Sequence, residues 1–195
     1  WARRGQWTVR LMLPSHKQHV HVEVTPPLMV AVTAEAHASL PLFDEGAPGW
    51  NKGAKLGRLV AQETTTPGLL NPGTVSVNPG TTSPTGVAFV EGVDFQVDET
   101  WGTVGRMVGG AIGADQPVSL GYSFTPLRLD SIVFTRVGQV ELRQGESHGV
   151  TPPPVVIGRD ERRLMNIWLP GRSALEGLQD ANLFPILESG TAEAA

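Results

Sequence analysis

The 195 residues include 40% hydrophobic side chains, enough to bury a core, and no cysteine, which excludes disulfides and thiolate-held metals or clusters. A formal net charge of −4 argues against a nucleic-acid backbone as the main partner, and no run approaches the ~20 apolar residues that a membrane-spanning helix needs. With 23 Gly and 16 Pro against 17% charged residues, helices are interrupted every few positions, and an all-β fold is predicted.

Trp1, not methionine, opens the sequence, so a processed form or a fragment is expected. Residues 6–13 and 19–24 read as strands. In the second, His19-Val20-His21-Val22-Glu23-Val24 alternates polar and apolar side chains, the period of a half-buried strand with its valines inward. Pro26-Pro27 ends it, and residues 28–33 offer another short strand. Residues 34–61 loosen around Gly46, Pro48, Gly49 and Gly53, predicting a long excursion with one turn of helix at most. One strand is expected over 74–77. A strand over 86–90 is followed by a hairpin of 94–98 and 103–107, and Val118, Leu120, Tyr122 and Phe124 fall on alternate positions of a longer strand. Residues 131–136 and 140–143 read as a second hairpin around Gly138.

Pro152-Pro153-Pro154 is a stiff spacer, 164–169 is the last strong strand, and Ser173 is placed to cap a short helix through Gln179. Residues 182–187 resume an extended segment. The expected organisation is an N-terminal β-region with long loops over 1–84, a β-sandwich-like module over 85–188 and a linker or disordered tail over 189–195. The architecture is an antiparallel sandwich or two stacked β-modules.

Four groups of residues invite a chemical reading. His19, His21 and Glu23 share a strand face, and imidazoles at i and i+2 with a carboxylate can ligate a divalent ion. The alternating valines assign that face to solvent, so no metal and no other cofactor is expected. Glu91, Asp94, Asp98 and Glu99 gather carboxylates around a hairpin, as calcium binding or glycoside hydrolysis requires, while Asp in such places also serves turns by bonding its own backbone. Ser147 sits beside His148, but neighbours on a strand rarely point at each other, and no triad is expected. Trp50 and Trp101 lie in Gly-rich loops, where an indole can anchor an interface or stack on a sugar, whereas Trp168 alternates with apolar residues and reads as core. Basic residues are concentrated in the first third and acidic ones in the middle, which suits head-to-tail contact between copies.

Two resemblances rest on longer runs. Val90-Glu-Gly-Val-Asp-Phe-Gln-Val-Asp98, Trp101-Gly-Thr-Val-Gly-Arg106, Gly109-Gly-Ala-Ile112 and residues 118–124 resemble a β-hairpin module of virion proteins and bacterial surface proteins. Leu127-Arg-Leu-Asp-Ser-Ile-Val133, Leu142-Arg-Gln-Gly145, Asn166-Ile-Trp-Leu-Pro-Gly171 and Asn182-Leu-Phe-Pro-Ile-Leu-Glu188 resemble the β-rich region that precedes the catalytic domain of some bacterial SGNH/GDSL hydrolases. The Gly-Asp-Ser, Gly-x-Asn-Asp and Asp-x-x-His blocks of that family are absent from the sequence, so the resemblance implies its non-catalytic part. The expectation is a non-enzymatic extracellular, cell-surface or virion module that acts by docking or assembly. A virion or filament subunit and a polysaccharide-binding module are the alternatives.

Overall fold

The computed structural model of the protein describes residues 7–13, 18–80 and 86–186. The tail expected over 189–195 lies outside them. In chain order the strands are β1 (Trp7–Leu13), β2 (Gln18–Val24), β3 (Val30–His37), β4 (Ala54–Lys55), β5 (Ser76–Pro79), β6 (Phe95–Asp98) and β7 (Thr103–Arg106). They continue as β8 (Val118–Phe124), β9 (Leu127–Phe134), β10 (Val140–Arg143), β11 (Ser147–His148), β12 (Arg162–Leu169) and β13 (Leu183–Pro185). Every ladder between them is antiparallel, and the helical pieces are short 3-10 turns at Gly49–Asn51, Gly171–Leu175 and Asp180–Asn182. The all-β expectation is met.

Two small sheets, ordered β3-β8-β5 and β4-β7-β6, share one core in which Leu40, Leu56, Leu70, Phe95, Val104 and Leu120 are sealed from solvent. The period-two reading of β8 holds: Val118, Leu120, Tyr122 and Phe124 are buried, while Ser119 and Ser123 are half-buried. A second core lies over the sheet β10-β9-β12-β13, with β11 beside β9. There Ile132, Met165, Ile167 and Leu169 meet Val22 and Val24 from the β1-β2 hairpin. Val22 and Val24 of β2 do face inward, and His21 and Glu23 are exposed.

These pairings cut across the expected boundary at residue 84. The hairpin from the first 24 residues contributes to the core of the C-terminal sheet, and β3 and β5 hydrogen-bond to β8 from the other side of the boundary. Residues 118–134 supply β8 to one sheet and β9 to the next, interrupted by the buried Thr125 and Pro126.

A polar joint fixes this crossing. Asn71 donates to Ser123 Oγ at 3.1 Å and accepts from Thr125 Oγ1 at 2.9 Å. Arg172 donates from its backbone N–H to the Gly68 carbonyl (3.1 Å) and from its guanidinium to the Leu70 and Glu99 carbonyls (3.0 and 3.1 Å). On the other side, the buried Arg128 and Asp130 form a bidentate pair at 2.8 Å. Arg128 also donates to the carbonyls of Thr25 and Pro26, and Asp130 accepts the Gly145 N–H at 2.9 Å, so one ion pair ties three segments together.

Several expected elements differ. Residues 86–90 form no strand. Val87 is 89% and Val90 55% exposed, and the segment is held instead by the Phe89 N–H on the Val77 carbonyl and the Val90 N–H on Asp94. The helix expected from Ser173 is replaced by 3-10 turns without a side-chain cap at Ser173. Gly171, at φ +59°, approaches the Gly68 and Thr125 carbonyls so closely that a Cβ would lie 2.9 and 3.1 Å from them. Gly177 breaks the backbone again six residues later, which leaves no room for a longer helix. Strand β3 runs on to His37, four residues beyond its expected end, because a bulge between Val32 and Glu35 shifts its alternation.

Candidate docking surface

The acidic hairpin cluster is committed to turns. Asp94 accepts the Ala111 and Val90 N–H groups at 2.8 Å each, and these bonds hold its carboxyl below the usual range. Asp98 accepts from the N–H groups of Thr100 (3.2 Å) and Trp101 (2.9 Å) through one oxygen, and Lys52 Nζ lies 3.0 Å from the other. Glu99 accepts the Gly73 N–H at 2.7 Å. Glu91 is pushed up by burial and by the nearby charge of Glu99. Each of these oxygens that bonds a backbone N–H closes a loop, as the turn reading of Asp requires.

The structure brings Trp50 and Trp101 together. Their rings meet edge to face, with centroids 5.2 Å apart and planes at 71°, and both are half-buried. Trp101 packs over Gly49, where a Cβ would collide with the indole, and Thr103 Oγ1 donates to the Gly49 carbonyl at 2.8 Å. Lys52 lies 5.8 Å from the Phe43 ring centre, extending the cluster. Trp168 is half-buried against the first core, consistent with its sequence pattern.

Of the metal-ligand candidates, the His19 side chain lies outside the described part, and His21 and Glu23 point to solvent. Among the described residues no group of three or more His, Asp or Glu side chains is gathered to hold an ion. His37 is engaged elsewhere: its Nε2 lies 2.8 Å from Glu35 Oε1, and Glu35 also accepts from Gly57 N–H (2.9 Å) and Tyr122 O–H (2.6 Å). Burial pushes the Glu35 carboxyl up, but the bonds from Tyr122, Gly57 and His37 outweigh it and leave the pKa below its ordinary 4.5. Tyr122 is pushed upward by burial and by the same carboxylate.

A group lowered in this way stabilises the fold above its unfolded value and loses that contribution as pH falls through the folded one. Wild-type protein is therefore expected to lose stability between about pH 5 and 3 more steeply than Glu35→Gln, measured by urea midpoints at each pH. Superimposable midpoint profiles would show that the Glu35 network does not couple to folding.

Ser147 and His148 form the two-residue strand β11 against β9. The run Gly145-Glu146-Ser147-His148-Gly149 also has the Gly-x-Ser-x-Gly spacing of a nucleophile elbow, a signal passed over when Ser147 is read only with its histidine neighbour. The elbow context is missing: β11 is followed by Gly149, Val150, Thr151 and three prolines, with no helix, and Ser147 has no positive φ. His148 Nε2 is buried without a hydrogen bond, 3.6 Å from Glu146 Oε2.

A feature not signalled by any motif lies beside β11. A cleft of about 610 Å³ is lined by Val30, Ala31, Val32, Thr33 and Ala34 of β3, by Arg58, by Phe124 and Pro126 at the β8-β9 crossing, and by Ser147 and Gly149. Strand β3 is an edge strand, paired among the described residues only with β8. Apolar side chains flank the lining in sequence: Leu28 is 74%, Met29 57%, Val30 39%, Val60 38% and Val150 39% exposed. Val60 takes φ +48°, alone among the described non-glycine residues in having a positive value. A β-branched residue there is strained, and strain of this kind clusters at binding sites.

Comparison with family models, with curated proteins and with solved structures gave no match. Among the described residues, no helix is long and apolar enough to cross a membrane.

Proposed function

We propose that the chain is a non-catalytic β-rich interaction module that works by docking or assembly contacts. The observation that carries this reading is the open edge of β3, running beside a cleft, with exposed apolar side chains close in sequence to its lining. An uncovered edge presents unpaired N–H and C=O groups, which folded proteins normally blunt with charge, proline or a covering element. Residues 30–34 of β3, Val-Ala-Val-Thr-Ala, carry none of these. Meanwhile Asp94, Asp98, Glu99, Glu35 and Asp130 all hydrogen-bond to backbone N–H groups, which is structural work. A second exposed group, Val87, Val90, Val93 and Val108, adds apolar surface around the loops that Asp94 ties down.

An accessory part of a larger hydrolase and a virion or cell-surface subunit both use such a surface, and both place the chain outside the cytoplasm. Light scattering of the purified chain should show species heavier than the 20.8 kDa protomer at high concentration, or heavier still when the natural partner is added. Acyl-ester hydrolysis abolished by Ser147→Ala would overturn the non-catalytic reading.

The carbohydrate alternative rests on the half-exposed Trp50–Trp101 pair next to Lys52 and Asp98. Polysaccharide retention that disappears in Trp50→Ala while the thermal midpoint is kept would favour it. Because Trp101 packs over Gly49 but is only half-buried, Trp101→Ala is expected to cost about 1–3 kcal/mol of stability, read from urea unfolding.

A further inference from the structure

We propose that the β3 cleft receives an extended peptide segment bearing a carboxylate, which adds a strand to the open edge of β3 and sets its acidic group on Arg58. The inference rests on the docking reading above and names its surface and its partner chemistry.

The lining residues argue for a strand. Residues 30–34 all face the cleft, although successive side chains of a strand point to opposite faces. Five consecutive residues border one cleft where it runs along the strand's edge, and the bulge between Val32 and Glu35 leaves Thr33 and Ala34 without partners on β8 there. At about 3.3 Å per residue that edge extends for roughly 13 Å, the reach of a peptide of about five extended residues. An occupant there finds the N–H and C=O groups that β8 does not use, and strand addition is a recurrent mode of peptide recognition. The small side chains of Ala31, Thr33 and Ala34 leave the approach clear, and exposed Leu28, Met29, Val60 and Val150, close in sequence to lining residues, are placed to offer apolar contacts.

The charge requirement follows from Arg58. It is the one ionisable side chain among the cleft-lining residues, and none of the ion pairs of the described residues includes it. Its backbone is held in place, since its N–H donates to Tyr122 Oη at 3.3 Å and its carbonyl abuts Gly149 so closely that a Cβ at Gly149 would clash. An exposed guanidinium presented from a fixed backbone matches a carboxylate. Residues 26–34 carry no charge of their own to satisfy it. Polar contact from the backbone, apolar contact from those exposed side chains and one cationic anchor together specify an extended, mainly apolar segment with a single acidic group.

The test uses the full chain and the synthetic peptide acetyl-Thr-Val-Asp-Val-Thr-Val-amide, followed by calorimetry and by amide chemical shifts. Saturable binding that perturbs residues 30–34 and 58 is expected. Two analogues, N-methylated at alternate amides in opposite phases, should behave differently. The phase that faces β3 should bind about thirtyfold more weakly, as the loss of two hydrogen bonds implies, and the other should bind like the parent. Arg58→Glu should weaken binding of the aspartate peptide about tenfold and strengthen that of its lysine counterpart. Equal affinity of the two methylated analogues, or an Arg58→Glu variant that binds both charges alike, would overturn the proposal. So would a dimer of the chain that buries β3 against a second copy. If the peptide fails while the chain still assembles through the valine surface, this inference falls and the docking reading stands. Failure of both peptide binding and assembly removes the two together.

Discussion

Asp130→Ala is expected to destabilise the protein by about 3–5 kcal/mol, the cost of stripping one partner from a buried ion pair. Asp130 is sealed from solvent and Arg128 is nearly so, and their bidentate pair is the hub of bonds to Thr25, Pro26 and Gly145. Removing the carboxylate leaves a guanidinium with no counter-charge in a buried site and frees the Gly145 N–H. Typical domains hold only about 5–15 kcal/mol in all, so much of the margin is at stake. Urea unfolding should show the midpoint shifted strongly with its slope retained. The double variant Arg128→Met with Asp130→Leu should recover part of the loss, because a well-packed apolar pair does not carry the desolvation cost. It should not recover all of it, since the anchoring of Thr25 and Pro26 goes with the guanidinium. A single Asp130→Ala change that costs less than about 1 kcal/mol would show that the site hydrates and the pair is not structural.

Phe95→Ala is expected to cost about 3–5 kcal/mol by a different route, cavity formation in the first core. Phe95 is 2% exposed and opens β6, packed among residues from both three-stranded sheets. The two sites belong to different cores, so the Phe95→Ala and Asp130→Ala effects should add within about 0.5 kcal/mol. A large departure from additivity in the unfolding free energies would show that the two sites interact through the packing between them.

The strands that could be read from the sequence are those whose alternation meets a single solvent boundary. Val22 and Val24 against His21 and Glu23, and the four apolar positions of β8, announce their buried faces directly. Strand β3 hid its second half because the bulge after Val32 changes the parity, so Glu35 and His37 fall on the half-buried side where a simple alternation predicts the reverse. Residues 86–90 misled in the other direction: an apolar run carries strand propensity, but it joins β5 through the Phe89–Val77 bond without forming a ladder, and Val87 remains in water. The turn-forming use of Asp94 and Asp98 was legible from local chemistry alone. The meeting of Trp50 with Trp101 was not, because it depends on how separate loops pack. The cleft was least legible of all. Its walls come from residues 30–34, from Arg58, from Phe124 and Pro126, and from Ser147 and Gly149, and no local pattern links four segments so far apart. Only the lack of charge or proline across the first part of β3 hinted that the edge was left open.

The passage from β8 to β9 runs through buried Thr125 and Pro126, so two sheets share one corner of the chain. Both sheets draw a strand from that one covalent stretch, and the Arg172 and Asn71 bonds brace the corner through the segment 68–71. The β3 cleft opens at that corner. A segment seated there would be held at a set angle to the C-terminal sheet, so the chain would pass on orientation as well as position to whatever it joins.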